Sequence, residues 1–100
     1  MATAYVTAPP SAADEIATAL VEERLAACVN RLDCRSTYRW EGEVVDDSEV
    51  VLLAKTTATR YEELRERVVE LHPHDVPCIE RFEETDAFEP FAEWVEESVE

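Results

Sequence analysis

The only glycine of this chain, Gly42, interrupts its longest run of alternating residues. Before it, Ser36, Tyr38 and Trp40 alternate with Thr37, Arg39 and Glu41, the period-two signature of a strand. After it, a second run reaches Thr56 through Val50-Val51-Leu52-Leu53-Ala54. A lone glycine between two such runs marks a hairpin turn, because glycine takes positive φ without steric cost. The strands, about Cys28 to Trp40 and from the turn to Thr56, are therefore expected to pair as one long hairpin. Strands of about 12 residues at about 3.3 Å per residue reach about 40 Å. A chain of 100 residues folds to a radius of gyration of about 13 Å. The hairpin should project beyond its own core, and a projecting ribbon carrying Tyr38 and Trp40 is an aggregation hazard unless something pairs with it.

The other elements follow from punctuation and periodicity. Ala4–Ala8 reads as a short strand closed by Pro9-Pro10. Ser11, with Asp14 three residues on, reads as the N-cap of a helix carrying Ile16, Ala17, Leu20, Val21 and Leu25. The unbroken apolar run Val50–Ala54 predicts burial on both faces of its strand. Thr59 with Glu62 is a second capping-box pair, followed by the stripe Tyr61, Leu64, Val68 and Leu71. Pro73 ends that helix at His72, since the residue before a proline is pushed out of the α region. Val76 to about Phe82 reads as a fourth strand, which Pro77 confines to an edge or a strand start. Pro90 suits the first turn of a last helix with Phe91, Trp94 and Val95. The order predicts an α+β, ferredoxin-like βαββαβ fold with an additional C-terminal helix, as a single domain over residues 1–100.

The charge narrows the partners. A formal net charge of −15 on 100 residues argues against nucleic acid, whose phosphates demand Lys and Arg, and against anionic membrane surfaces. With 46% hydrophobic residues the chain still builds a core, unlike a disordered acidic tail. Acids crowd helix surfaces at Glu62, Glu63, Glu66 and Glu70, and again at Glu93, Glu96 and Glu97. Such surfaces are solvated faces more often than binding sites, so they point to a halophilic cytosol rather than a general divalent-cation sponge. No basic n-region precedes an apolar stretch, and the three cysteines show no CxxC spacing. Both features lead to the expectation of a cytoplasmic protein with reduced thiols.

The densest chemistry lies in Leu71-His72-Pro73-His74-Asp75-Val76-Pro77-Cys78. His72, His74 and Cys78 are candidate metal ligands, because imidazole and thiolate suit Cu and Zn. The competing reading makes His72 a helix-end histidine favoured by the dipole and His74 a turn residue in water. Lys55 is the only lysine, and alternation places it on the face of Val51 and Leu53. A partly buried ammonium needs a carboxylate, such as Glu41 or Asp75, or an anionic ligand. Lys55, Arg39, Tyr38 and Trp40 are the candidate ligand-binding residues. Cys28 is expected in the core and Cys34 in a structural or incidental role. No nucleophile with an assured base can be named, so an enzyme is not expected.

Several separated segments together resemble the CutA family of divalent-cation tolerance proteins. They are Val6-Thr7-Ala8-Pro9, Glu23-Arg24-Leu25-Ala26-Ala27-Cys28-Val29-Asn30, Tyr38-Arg39-Trp40-Glu41-Gly42, Lys55-Thr56, and His72-Pro73 with Val76-Pro77. The resemblance implies a ferredoxin-like homotrimer whose long hairpins reach neighbouring subunits. It also implies a role in the response to copper and other divalent metal ions, as a metal-binding or metal-buffering module. Similarity of that architecture to PII signalling proteins implies an alternative, a regulatory trimer binding a small anionic ligand in intersubunit clefts. Bacterial members with proposed copper ligands carry a first-strand Cys and two consecutive His before the Pro. Here these positions are Val6 and Leu71-His72, while His74 and Cys78 stand where the family often has Tyr and Glu.

Overall fold

The hairpin is present over its full expected length. In the computed structural model, which describes residues 1–100, β2 (Cys28–Trp40) and β3 (Glu43–Thr56) pair continuously from Cys28 opposite Lys55 to Trp40 opposite Glu43. Glu41 (φ 50°) and Gly42 (φ 82°) form the turn. Two consecutive left-handed residues are what a two-residue turn of matching twist requires. The other elements are β1 (Ala2–Ala8), α1 (Pro10–Glu22), α2 (Tyr61–Leu71), β4 (Cys78–Glu83) and α3 (Glu89–Ser98). The sheet order is β2-β3-β1-β4, antiparallel throughout. This is the expected α+β arrangement. Strand β1 covers β3 only from Val50 to Thr56, so the outer halves of β2 and β3 run past it. The longest dimension is 45 Å, against a radius of gyration of 13.9 Å.

Helices α1 and α2 share one core with one face of the sheet. Ala4, Val6 and Ala8 of β1 and Val50, Leu52 and Ala54 of β3 pack with Ile16 and Leu20 of α1 and Leu64 and Val68 of α2. Full burial of each large aliphatic side chain contributes about 1.5–3 kcal/mol. Val95 and Val99 at the end of α3 form a smaller cluster with Ala27. The expectation that β3 is buried on both faces is corrected: Val50, Leu52 and Ala54 are buried, while Val51, Leu53 and Lys55 are half-buried. Both helices lie on one face and leave the other open within the chain.

Neither predicted capping box is used. Helix α1 begins at Pro10, whose fixed φ already suits a first helical position, so Ser11 falls inside the first turn and caps nothing. Asp14 pairs instead with Arg31 of β2 at 2.9 Å. At α2 the hydroxyl of Thr57 accepts the Arg60 N–H at 3.3 Å, and Thr59 makes no capping bond. Strand β4 starts after Pro77 rather than at Val76, because proline has no N–H to give the ladder, and it lies at the sheet edge.

Candidate functional site

The α2–β4 connection is tied down by His72. Helix α2 stops at Leu71, and His72 turns extended (φ −77°, ψ 134°) before Pro73. Its side chain is buried, at 7% exposure. Nε2 lies 2.8 Å from the Thr7 carbonyl oxygen. A carbonyl only accepts, so Nε2 carries the proton and donates. Nδ1 in turn accepts the backbone N–H of His74 at 3.1 Å. Both ring nitrogens are therefore engaged, and the one lone pair of this neutral imidazole is already in use. A metal can bind here only by displacing the loop. The sequence favours His72 as the leading ligand. The geometry makes it the residue that fastens the loop to β1.

Next to this loop, over the open face of the sheet, lies a cavity of about 660 Å³. Pro73, His74 and Asp75 of the loop form one side. The sheet supplies Tyr5 and Thr7 of β1, Ser36, Tyr38 and Trp40 of the projecting β2, Glu49 of β3, and Cys78 and Glu80 of β4. Strand parity explains the selection, since Thr7 is opposite Cys78, Tyr5 opposite Glu80, and Cys34 opposite Glu49. The Cys78 thiol donates to Glu80 Oε1 at 3.7 Å. Burial pushes this thiol above its usual range, and the Glu80 charge adds to that, while hydrogen bonding to Thr7 pulls the other way. The Tyr5 hydroxyl is raised by burial first and then by Cys78, Cys34, Glu80 and Glu49. The Tyr38 hydroxyl donates to Asp47 at 2.6 Å, and that bond raises it.

The cavity thus combines three carboxylates, one imidazole, one thiol and three aromatic rings, with no lysine or arginine in its lining. Walls of one charge sign attract counter-ions, so the lining is electrostatically better suited to a cation than to an anion. No group of three or more His, Cys, Asp and Glu side chains converges within one chain to enclose an ion.

The other candidates divide. Tyr38, Trp40, His74 and Cys78 share the cavity. Lys55 lies on the same open face but at its far end, opposite Thr3 and Cys28. Arg39 pairs with Val44 and so projects from the other face. Val44 is 11 residues from Lys55 on β3, about 36 Å along the strand. Lys55 and Arg39 cannot meet within a chain, and Lys55 forms no ion pair with Glu41 or Asp75. Cys28 is corrected too: it sits half-buried on the open face beside Lys55, not in the helix-covered core. Burial raises its thiol and the Lys55 charge lowers it. Tyr5, Glu49 and Glu80 were not found from the sequence. Their alternation was visible, but which strands adjoin was not.

The model of the CutA1 divalent ion tolerance protein family matches residues 2–98. The chain belongs to the CutA1 family. The divalent-cation tolerance protein CutA of Pyrococcus horikoshii is 41% identical over 92 residues, covering 91% of this chain and 90% of that protein. The apo structure of a protein described as PII-like CutA, from Nostoc, superposes with a TM-score of 0.96 at 33% identity, covering 100% of this chain and 98% of that one. A CutA from Archaeoglobus fulgidus, described as a periplasmic divalent cation tolerance protein, gives a TM-score of 0.95 at 34% identity, covering 100% of both chains. This last relative overturns the expected cytoplasmic location, since a CutA1 protein of the same fold is described as periplasmic. No helix of this CutA1 chain is long and apolar enough to cross a membrane.

Proposed function

We propose that this CutA1 protein is a homotrimeric cation-responsive module whose cleft beside the α2–β4 loop captures divalent metal ions of the Zn²⁺ or Cu²⁺ kind. The observation that carries the reading is the lining: carboxylates, an imidazole and a thiol without a single basic side chain. His74 and Cys78 supply the nitrogen and sulfur that zinc and copper favour, and Asp75, Glu49 and Glu80 supply charge. The donors do not close round an ion in one chain, so loop adjustment or a neighbouring copy completes the coordination. His72 holds His74 in place without ligating. Burial raises the Cys78 thiol above its usual range, so a metal that binds its sulfur must first displace a proton.

Assembly is supported by the surface the chain leaves open. Leu32 is 50% exposed and Phe82 49%, on the same face as the half-buried Val51 and Leu53. The hairpin runs beyond β1, and both sheet edges, β2 and β4, are unpaired within the chain. The copy number of three is the family expectation. Seven of the 24 acidic side chains are in ion pairs, which leaves 17 without one. That excess supports the reading of a salt-adapted, halophile-type surface.

The test is calorimetric titration with Zn²⁺ and Cu²⁺ on protein whose mass is checked by sedimentation. Wild type should sediment as a trimer and bind, and the double variant His74→Ala, Cys78→Ser should lose most of the affinity. A monomer at micromolar concentration, or equal affinity in the variant, contradicts the reading. A second reading has one observation in its favour. Lys55 and Arg39 make no ion pair, whereas six of the nine basic side chains do. Supplied by different subunits, the two suit a small anionic ligand in a PII-like regulatory trimer, detectable as anion-dependent melting shifts lost in Lys55→Gln.

A further inference from the structure

One carboxylate oxygen of this chain is hidden from water and bonded to nothing. Glu84 follows the end of β4, and its Oε1 accepts the hydroxyl of Thr3 in β1. Its Oε2 is buried with no hydrogen-bond partner. Thr3 beneath it is only 6% exposed. No ion pair within the chain involves Glu84. A buried carboxylate oxygen without a donor is costly, so this one calls for a cation. The strand register names the candidate. Thr3 is opposite Lys55 of β3 on one side and Phe82 of β4 on the other, so the three side chains share one row of the open face. A carboxylate held at Thr3 is therefore one strand spacing, about 4.8 Å, from the backbone of Lys55. Lys55 is the only lysine, is half-buried, and makes no ion pair. Its ammonium rides on a flexible four-carbon stem, which can reach across Thr3.

In a single chain, water still reaches Lys55 and hydrates its charge. A second copy packed over the open face removes that water, and an ammonium without a counter-charge would then oppose assembly. The adjacent carboxylate that lacks a partner is Glu84. We propose that assembly closes an ion pair between Lys55 and Glu84 Oε2 of the same chain, with the Thr3 hydroxyl holding the carboxylate, which makes Lys55 a residue of subunit recognition. The proposal rests on the reading of the protein as an assembly of copies through this face. It gives Lys55 a counter-charge within its own chain, and so competes with the anionic-ligand reading. The pair also commits the two residues to each other, because removing one leaves the other charged and unpaired inside the interface.

The experiment follows dissociation of the assembled protein by sedimentation over a dilution series in about 0.15 M salt, where the screening length is about 8 Å. Circular dichroism checks that each protein is folded. Four variants accompany wild type: Lys55→Met, Glu84→Gln, these two combined, and Glu66→Gln. Glutamine keeps an acceptor for Thr3 and removes only the charge. Glu66 is exposed on α2, on the helix side of the sheet, and forms no ion pair, so its replacement reports general repulsion. In a chain of net charge −15, losing a carboxylate eases assembly, and Glu66→Gln should leave it unchanged or tighten it. Glu84→Gln should do the reverse and weaken assembly about tenfold, because Lys55 is left unpaired. Lys55→Met should weaken it by a similar factor, and adding Glu84→Gln to Lys55→Met should restore most of the loss. A Glu84→Gln protein that behaves like Glu66→Gln, or two losses that simply add, overturns the ion pair and leaves the assembly standing. A wild type that sediments as a monomer at micromolar concentration overturns both.

Discussion

Nδ1 of His72 accepts the backbone N–H of His74 at 3.1 Å, so the first histidine of the loop positions the second. The sequence offers both residues as ligands, with His72 in the lead, and the fold gives them different work. One is buried with both nitrogens engaged, while the other borders the cleft.

This division predicts opposite effects of two similar substitutions. His72→Ala removes the bonds that the imidazole makes to the Thr7 carbonyl and the His74 N–H, and such losses cost about 1–3 kcal/mol. His74→Ala removes an exposed side chain and should change stability by less than about 0.5 kcal/mol. Urea denaturation of both variants checks the ordering. Equal stability would show that the loop is not fastened by His72.

The hairpin turn gives a cleaner test, because sterics play no part in it. A Cβ on Gly42 would meet nothing within 4 Å, yet φ is +82°. Gly42→Ala should therefore cost about 1–2 kcal/mol, the left-handed penalty of a side-chain-bearing residue. A loss well below that, measured by thermal or urea unfolding, would mean that the turn relaxes easily.

Much of the architecture was legible because it rests on local signals. Gly42 and the alternation around it specified the hairpin, and Pro73 stopped α2 where the backbone does turn. The helix starts were misread because Ser11 and Thr59 look like caps, whereas Pro10 and Thr57 take the geometry first. The site was only half legible. Tyr38, Trp40, His74 and Cys78 stand out by residue type, but Glu49 and Glu80 join them through strand order, which one sequence does not display. That His72 is unavailable depends on a carbonyl 65 residues away, beyond any local pattern. Cys28 was misplaced because cysteine prefers burial and its parity depends on register.

Salt dependence follows from the unpaired carboxylates. The screening length falls from about 10 Å at 0.1 M to about 3 Å at 1 M, which weakens their mutual repulsion. The melting temperature should rise between low salt and molar KCl, read by circular dichroism. A flat profile would show that assembly already neutralises the acidic surface.

Stability should fall at alkaline pH. Cys28, Cys78 and Tyr5 are all raised in the folded protein, each chiefly by burial. The unfolded chain then releases these protons first, so above the ordinary thiol value of 9.0 it binds fewer protons than the native state and is favoured as pH rises. Their contribution is intact below about pH 8 and is lost on passing through the raised values. Chemical denaturation from pH 8 to 10.5 should show the decline, and replacing Cys28 and Cys78 by Ser should flatten it. An unchanged slope in that variant would remove the thiols from the account.

The central claim is that a divalent ion enters the cleft through His74 and Cys78, and proton release on binding tests it most directly. Metal binds thiolate, and Cys78 holds its proton at neutral pH, so coordination must expel that proton. Zinc titration near pH 7 in two buffers of different ionisation enthalpy counts the protons released. The account predicts about one proton per zinc in wild type and in His72→Ala protein that remains folded, with the release abolished in Cys78→Ser. Zinc binding without proton release, or the same release in Cys78→Ser, would contradict it.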